Sequence, residues 1–253
     1  MKQEIKVIPL RILKDVEPGD MIYKLILRSM ISQKLKFANG DIVVIAQKIV
    51  SKAEGRMVTL SSLTPSANAI RLAKAYKKDA RVLELILRHS KNIVKIANGV
   101  IISETKHGFV CANAGIDQSN IIRSDENALL LPDNPDASAN QIMNMLREKT
   151  NREVAVIIAD SFGRPFRNGQ TNVAIGIAGL NAIKSYIGEN DMFGKKLKVT
   201  EIAVVDELAS AAELVMGKSK GIPVAIVRGF DFVMSKKASI NELIRAREKD
   251  LFR

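Results

Sequence analysis

Short apolar runs rich in β-branched residues alternate along the chain with longer segments in which apolar residues recur every three or four positions. The runs predict strands, and the longer spacing predicts amphipathic helices. The predicted strands are residues 5–10, 41–49, 110–112, 154–159, 197–205 and 224–228. The predicted helices are residues 21–33, 66–76, 80–89, 137–149, 207–216 and 240–253. Because strands and helices mix without a strict βα repeat or a dinucleotide fingerprint, the pattern predicts an α+β fold rather than a Rossmann fold.

The length of the chain, 253 residues, allows one large domain or two small ones. Residues 132–135 read Pro-Asp-Asn-Pro, which is typical of a linker, so a boundary between two lobes could fall there. Ser138 is a good N-cap candidate for the helix that follows. Composition does not shift along the chain and no segment repeats, so we treat residues 1–253 as a single unit.

Composition predicts an aliphatic core, with 47% hydrophobic and 4% aromatic residues and no Trp. No apolar run approaches the roughly 20 residues of a membrane span. The first residues lead directly into a strand pattern without a signal peptide, so we expect a cytoplasmic protein. The single cysteine, Cys111, excludes an intrachain disulfide and a cysteine zinc site.

The net charge is +12, from 39 basic and 27 acidic residues. Such a balance suggests nucleic acid as a partner. However, the basic residues are spread along the chain, aromatic residues are few, and no nucleic-acid-binding motif is present, which argues against that function. A polyanionic small substrate would also favour a basic cleft, through electrostatic steering.

Residues 154–169 combine the pattern of a buried strand with side chains at its end that could bind a metal ion or an anion. The apolar run stops at Asp160 and Ser161, and glycine and proline residues then interrupt regular structure. A carboxylate and a hydroxyl can hold a divalent cation, and Arg164 and Arg167 suit phosphate or carboxylate ligands. We therefore take Asp160 and Arg164 as catalytic candidates. The alternative is a strand end followed by a solvated turn.

A second segment, residues 109–120, leads from a short strand into a turn that contains Gly115, Asp117, Ser119 and Asn120. An Asx turn or a helix N-cap would explain Asp117 and Ser119 without any chemistry. A metal or nucleotide site explains them equally well. The presence of two acid-bearing loops favours the convergence of Asp117 and Asp160 on one cation.

A third segment places Lys48, Ser51, Lys52 and Arg56 after a predicted strand. Lysines in that position are candidates for phosphate binding, although a solvated sheet edge is the safer interpretation of this segment alone. The sequence contains no Walker A motif, and residues 216–221 have the wrong glycine spacing for one, so a P-loop is not expected.

These segments together resemble the coenzyme F420-0:γ-glutamyl ligase family. The matching blocks, in the order of that family, are VSKAEGR at 50–56, NAGID at 113–117 with Ser119 and Asn120, LLLP at 129–132 with Pro135 and Asp136, IIADSFGR at 157–164 with Phe166 and Arg167, AIGIAG at 174–179, DELA at 206–209, Met216 with Gly217, and GIPVAIVRG at 221–229. Each block is weak by itself, but the ordered set spans nearly the whole chain and is specific.

The resemblance implies an intertwined, two-lobed α+β fold with a mixed or antiparallel sheet, and a homodimer. It also implies GTP-driven amide formation between L-glutamate and the lactyl carboxylate of F420-0, through an acyl phosphate. Two divalent ions, Mg²⁺ or Mn²⁺, would assist, with K⁺ as an additional candidate. The alternatives are a related ligase acting on another carboxylate, and a non-catalytic protein that binds nucleotide or nucleic acid.

The resemblance also implies roles for individual residues. Asp117 and Asp160 match the carboxylates that bind a first metal, and Ser161 matches a hydroxyl ligand of a second. The residues matched to nucleotide contacts are Leu13, Lys14, Asp15, Val16, Gln47, Lys48, Lys52, Asn120, Met216, Gly217, Lys218, Ser219 and Gly221.

Lys218 departs from the family's pattern. There an acidic or amide residue follows Met-Gly and serves the second metal, whereas this chain has a lysine and a loop that looks one residue shorter. A protonated lysine cannot bind a metal ion. The second metal therefore recruits Asp206 or Glu207, or Lys218 contacts phosphate directly.

Overall fold

The computed structural model of the chain describes residues 4–251, which form thirteen strands and six α-helices. The strands are β1 (Lys6–Leu10), β2 (Asp41–Ala46), β3 (Met57–Thr59), β4 (Ser90–Ala97), β5 (Val100–Thr105), β6 (Val110–Ala112), β7 (Asn127–Leu129), β8 (Val154–Arg164), β9 (Arg167–Leu180), β10 (Lys184–Ser185), β11 (Glu201–Ile202), β12 (Val224–Arg228) and β13 (Met234–Ser235). The helices are α1 (Ile22–Ser32), α2 (Gln47–Ala53), α3 (Ala67–Tyr76), α4 (Ala80–His89), α5 (Pro135–Thr150) and α6 (Val204–Met216).

The main sheet has six strands in the order β1-β12-β2-β8-β9-β13. Strands β2 and β8 pair in parallel, and every other neighbouring pair is antiparallel. Residues 42–45 and 154–158 are completely buried, as their continuous β-branched sequences predict for strands covered on both faces. The α+β prediction is confirmed, and the sheet has neither a Rossmann nor a P-loop arrangement.

Helices α5 and α6 pack directly on the main sheet, α5 on β8 and β9 and α6 on β9, β12 and β1. The start of α5 approaches β9 so closely that a Cβ atom on Gly176 would lie 2.5 Å from the carbonyl of Pro135. The segment 174–179 is buried within this layer and belongs to the core of the chain.

The buried residues of a second, smaller hydrophobic core all lie between Leu60 and Leu130, and Val58 of β3 packs against them. The surrounding elements are α3 and α4, the β3–β7 pair and the sheet β4-β5-β6. Phe109 and Leu131 belong to the main core, and the chain enters α5 through residues 132–135, where a boundary was predicted. The division of the chain into lobes stays a prediction.

Three predicted elements are wrong in part. The strand 41–49 ends at Ala46, because the same apolar pattern continues as the helix α2. Only Glu201–Ile202 of the strand 197–205 pairs, and α6 already begins at Val204. The helix 240–253 is replaced by two short 3₁₀ turns, Ile240–Leu243 and Arg247–Lys249, and residues 252 and 253 lie outside the described part.

Two predicted boundaries also change. The apolar strand continues past Asp160 to Arg164 and turns back through Pro165 and Phe166 into β9, so the predicted loop is a β-hairpin. Asn134, rather than Ser138, caps α5, because its side chain accepts a hydrogen bond from Ala137 N at 3.0 Å and Pro135 occupies the first turn.

Among residues 4–251, no helix is long and apolar enough to cross a membrane.

The buried carboxylate of Glu84 on α4 connects the two helices of the smaller core. It accepts hydrogen bonds from Ser66 N at 2.9 Å and from Arg88 Nε at 2.7 Å. The hydrogen bonds of Ser66, followed by the Arg88 guanidinium, lower the pKa of Glu84 to about 2.

We predict that Glu84→Gln removes a pH-dependent part of the stability. Because the pKa of Glu84 is lower in the folded state than in the unfolded chain, its stabilisation is complete above roughly pH 5 and is lost as the pH falls towards roughly pH 2. The urea midpoints of the variant and the wild type should therefore differ at neutral pH and converge in acid. Glu126→Gln, at an exposed carboxylate, is the control. A midpoint difference that is independent of pH would contradict this prediction.

Candidate active site

A cleft of about 1070 Å³ lies at the carboxyl ends of β2 and β8. These strands are parallel, and Ala46 pairs with Ala159 at their last shared position. The residues that follow, Lys48 in the first turn of α2 and Asp160 on β8, therefore enter the same space. The turn after β6 and the loop after α6 complete the walls.

All the residues predicted to bind nucleotide or metal line this cleft. They come from five separate parts of the chain, and the sheet brings them together. Arg164 does not line it. Its guanidinium donates a hydrogen bond to the carbonyl of Asn168, 2.9 Å away at the exposed end of the β8–β9 hairpin. The structure thus separates the predicted catalytic Arg164 from Asp117 and Asp160.

Asp117 is held in place by a lysine and by its own turn. Its carboxylate lies 2.7 Å from Lys48 Nζ and accepts a hydrogen bond from Ser119 N at 2.6 Å. The Asx-turn interpretation is therefore correct as geometry, while the same side chain also faces the cleft. Burial raises the pKa of Asp117, but the hydrogen bonds from Lys48 and Ser119 outweigh it, so this pKa lies below its usual value.

Asp160 carries negative charge that its surroundings compensate only in part. Desolvation, together with the charge of Asp117, raises the pKa of Asp160 to about 6, although Lys218 and Lys48 act in the opposite direction. Two neighbouring carboxylates whose negative charges are only partly compensated favour a bound cation. Among residues 4–251, no three His, Cys, Asp or Glu side chains cluster as a metal site. A cation held here would need phosphate or water oxygens as well, as Mg²⁺ commonly does.

The ammonium of Lys218 contacts oxygens from three different elements. It donates to Ser161 Oγ at the end of β8, lies 3.2 Å from Asn172 Oδ1 on β9, and lies 3.4 Å from Glu213 Oε1 on α6. We call Ser161, Asn172 and Glu213 the oxygen cage. Asp206 and Glu207 lie outside the cleft lining, and Asp206 accepts a hydrogen bond from Ala174 N at 2.8 Å. The structure therefore gives no support to their recruitment for a second metal.

On the side of the cleft predicted to bind nucleotide, some polar side chains are already paired with other protein groups, and one charged side chain is not. The buried amide of Gln47 donates to Ser51 Oγ at 2.5 Å, which is a structural contact. Lys14 pairs with Asp20 at 2.9 Å. Lys52, in contrast, forms no ion pair within the described residues, so its charge is available to a ligand. Asn120 connects the two loops by donating to the carbonyl of Lys218 at 3.3 Å.

Sequence reasoning missed Asn172 and Glu213. Asn172 ends a polar stretch just before an apolar run and pairs with Ser161 across the hairpin, a register that a hairpin prediction would have revealed. Glu213 carries no local signal. Cys111 also lines the cleft, but burial raises the pKa of its thiol to about 12, so it is not an active nucleophile.

The fold and the cleft define an α+β protein with a basic cleft that holds paired carboxylates and suits a polyanionic ligand. The sequence model of the F420-0:gamma-glutamyl ligase family matches residues 11–229, and the chain belongs to that family.

Relatives from several organisms are similar over most of their length. A Methanothermobacter thermautotrophicus protein named coenzyme F420:L-glutamate ligase is 46% identical over 240 residues, which cover 94% of each chain. The protein of the same name in Methanocaldococcus jannaschii is 47% identical, over 85% of each chain. The one in Methanopyrus kandleri is 40% identical, over 98% of each chain.

Proposed function

We propose that this protein is a GTP-dependent ligase that joins L-glutamate to the lactyl carboxylate of coenzyme F420-0. The observation that carries the proposal is the meeting of Asp117 and Asp160 with Lys48, Lys52 and Lys218 in one cleft. The names of the relatives support the acceptor and the amino acid. The charge of the cleft supports a triphosphate as the source of energy.

The proposed chemistry has two steps. An oxygen of the acceptor carboxylate attacks the γ-phosphorus of GTP, and the bond to the β-phosphate oxygen breaks to release GDP. The glutamate amine then attacks the carbonyl of the acyl phosphate, loses a proton and expels phosphate. No protein nucleophile is needed, which agrees with the inert state of Cys111. The lysines bind and orient the phosphates.

The residues present fit one divalent cation, Mg²⁺ or Mn²⁺. Asp117 and Asp160 would hold it, and it would neutralise charge on the triphosphate. Lys48 already pairs with one oxygen of Asp117, so we assign the larger share of the binding to Asp160. K⁺ stays a candidate for an additional ion.

The homodimer also stays a prediction. Three large apolar side chains, Phe166, Met192 and Phe193, are each at least 86% exposed at turns of the chain. An interface with a second copy would remove them from water, which is favourable for side chains of this kind.

Incubation of the protein with GTP, Mn²⁺, L-glutamate and F420-0 tests the function. We expect the F420-0 mass to increase by one or more glutamate residues, with release of GDP and phosphate. Replacing L-glutamate with L-glutamine, which lacks the second carboxylate, is the control for the amino acid. GTP binding without any mass increase would favour a non-catalytic nucleotide-binding protein. GDP release with a different carboxylate only would favour the related ligase.

A further inference from the structure

The contacts of Lys218 match what a protonated amine requires. An ammonium has three N–H donors and no acceptor. The oxygen cage supplies three acceptors, one each from Ser161, Asn172 and Glu213. The donors and the acceptors are therefore equal in number, and the positive charge lies next to the Glu213 carboxylate.

The cage is ordered by hydrogen bonds of its own. The Ser161 hydroxyl donates to Asn172 Oδ1 at 2.6 Å, and Asn172 Nδ2 donates to Glu213 Oε2 at 3.2 Å. Asn172 is only 4% exposed, so its amide cannot turn towards solvent for other partners. These bonds direct the remaining lone pairs of the cage towards the Lys218 ammonium.

The backbone directs Lys218 to the cage as well. Gly217 ends α6 with a φ of 59°, and the next residue, Lys218, contacts Ser161 on β8 and Asn172 on β9. The side chain of Lys218 keeps 58% of its surface exposed, so its ammonium borders the open cleft rather than the core. A triphosphate in the cleft would meet this charge directly.

We infer that the ammonium of Lys218 is the resident cation of the oxygen cage, so that this protein binds one divalent ion per active site where the family resemblance implies two. The inference rests on the proposed function for the identity of the ligand. It deepens that function by assigning the second positive charge to the protein itself.

A divalent ion does not fit the cage while Lys218 remains there. The oxygens of Ser161 and Asn172 already accept hydrogen bonds from the ammonium, the Glu213 carboxylate is paired with it, and a nearby divalent charge would repel it. Removal of the lysine would leave the buried Asn172 oxygen and the Glu213 carboxylate facing the cleft, a donor set that suits Mg²⁺ or Mn²⁺.

Mn²⁺ binding in the presence of GTP, without F420-0 or glutamate, tests the inference. We expect electron paramagnetic resonance titration to show one Mn²⁺ per wild-type chain. Lys218→Glu, which adds a carboxylate to the cage, should bind two, with the line broadening that adjacent Mn²⁺ ions produce. Lys220→Glu is the matched control, because Lys220 lies exposed on the same loop outside the cleft, and it should bind one.

GTP kinetics provide the second measurement. Lys218→Gln should raise the KM for GTP about tenfold, as expected for the loss of a charged contact. Lys220→Gln should leave the KM for GTP unaltered. An unchanged KM in Lys218→Gln would reduce Lys218 to an ordinary surface charge and overturn the inference.

The binding outcomes are separate from those of the ligase assay. Two Mn²⁺ ions per wild-type chain would overturn the inference even if the ligase is active. One ion in both the wild type and Lys218→Glu would overturn it as well, because the cage would then not be a cation site. One ion in the wild type and two in the variant would support it even if F420-0 is not the acceptor.

Discussion

Asp160→Asn is expected to reduce metal-dependent GTP turnover by about 10²–10³-fold while the protein remains folded. The asparagine has nearly the same shape, but it removes the negative charge that would hold a cation next to the triphosphate. Asp160 lies on β8 directly after its buried apolar residues, so the substitution does not disturb the apolar part of the strand. Steady-state turnover at several Mn²⁺ concentrations, together with the circular dichroism spectrum, measures both parts of the expectation.

Asp117→Asn should cause a loss of similar size, because Asp117 shares the cation and also positions Lys48. Glu207→Gln is the matched control, since Glu207 is an exposed carboxylate outside the cleft, and it should retain full activity. Near wild-type turnover with ordinary Mn²⁺ dependence in either aspartate variant would refute the metal assignment. Loss of activity in the Glu207 variant would instead support the alternative that Glu207 binds a second metal ion.

Asp41→Ala is expected to lower the free energy of unfolding by about 3 kcal/mol. The Asp41 carboxylate is completely buried at the start of β2. It accepts hydrogen bonds from Arg228 Nε at 2.8 Å, from Arg228 Nη2 at 2.7 Å and from Ala38 N at 2.8 Å. Removal of the carboxylate leaves a guanidinium and a backbone N–H without these partners. Breaking a buried ion pair costs about 3–5 kcal/mol. Because the Arg228 side chain is 36% exposed, we expect a cost at the lower end of that range.

Urea unfolding monitored by circular dichroism measures this effect. Glu148→Ala, which breaks an exposed ion pair with Lys149, is the control and should change the free energy of unfolding by less than about 1 kcal/mol. Equal midpoints for the two variants would show that the buried pair contributes no more to stability than a surface pair.

Most of the main sheet could be predicted because its strands carry their own signal. The β-branched runs of β2, β8 and β12 are apolar at nearly every position, which is typical of strands buried on both faces. The same signal fails at Gln47, because an apolar run that turns polar can continue as a strand or begin a helix. Residues 240–253 show an apolar spacing typical of a helix, but many of residues 240–251 remain exposed, and burial of an apolar face is what stabilises most helices.

The chemistry of the cleft could be predicted in part for a similar reason. Asp117, Asp160 and Ser161 each follow an apolar strand, and that local change of pattern marks a functional loop. Arg164 follows the same strand, yet the strand continues into a hairpin and carries it away from the cleft. Asn172 could be placed beside Ser161 only once the β8–β9 hairpin was known, and Glu213 has no local signal because it lies on an amphipathic helix.

The sequence by itself determined four of the six strands of the main sheet, the residue types of the cleft and, through the ordered blocks, the family. Those properties depend on local pattern and on the order of motifs along the chain. The tertiary structure alone decided that Lys218 meets Ser161, Asn172 and Glu213, because those contacts depend on the register of β8 against β9 and on the packing of α6 on that hairpin. Lys218 cannot bind a metal ion while it is protonated, and in the folded chain it supplies a positive charge within the cleft.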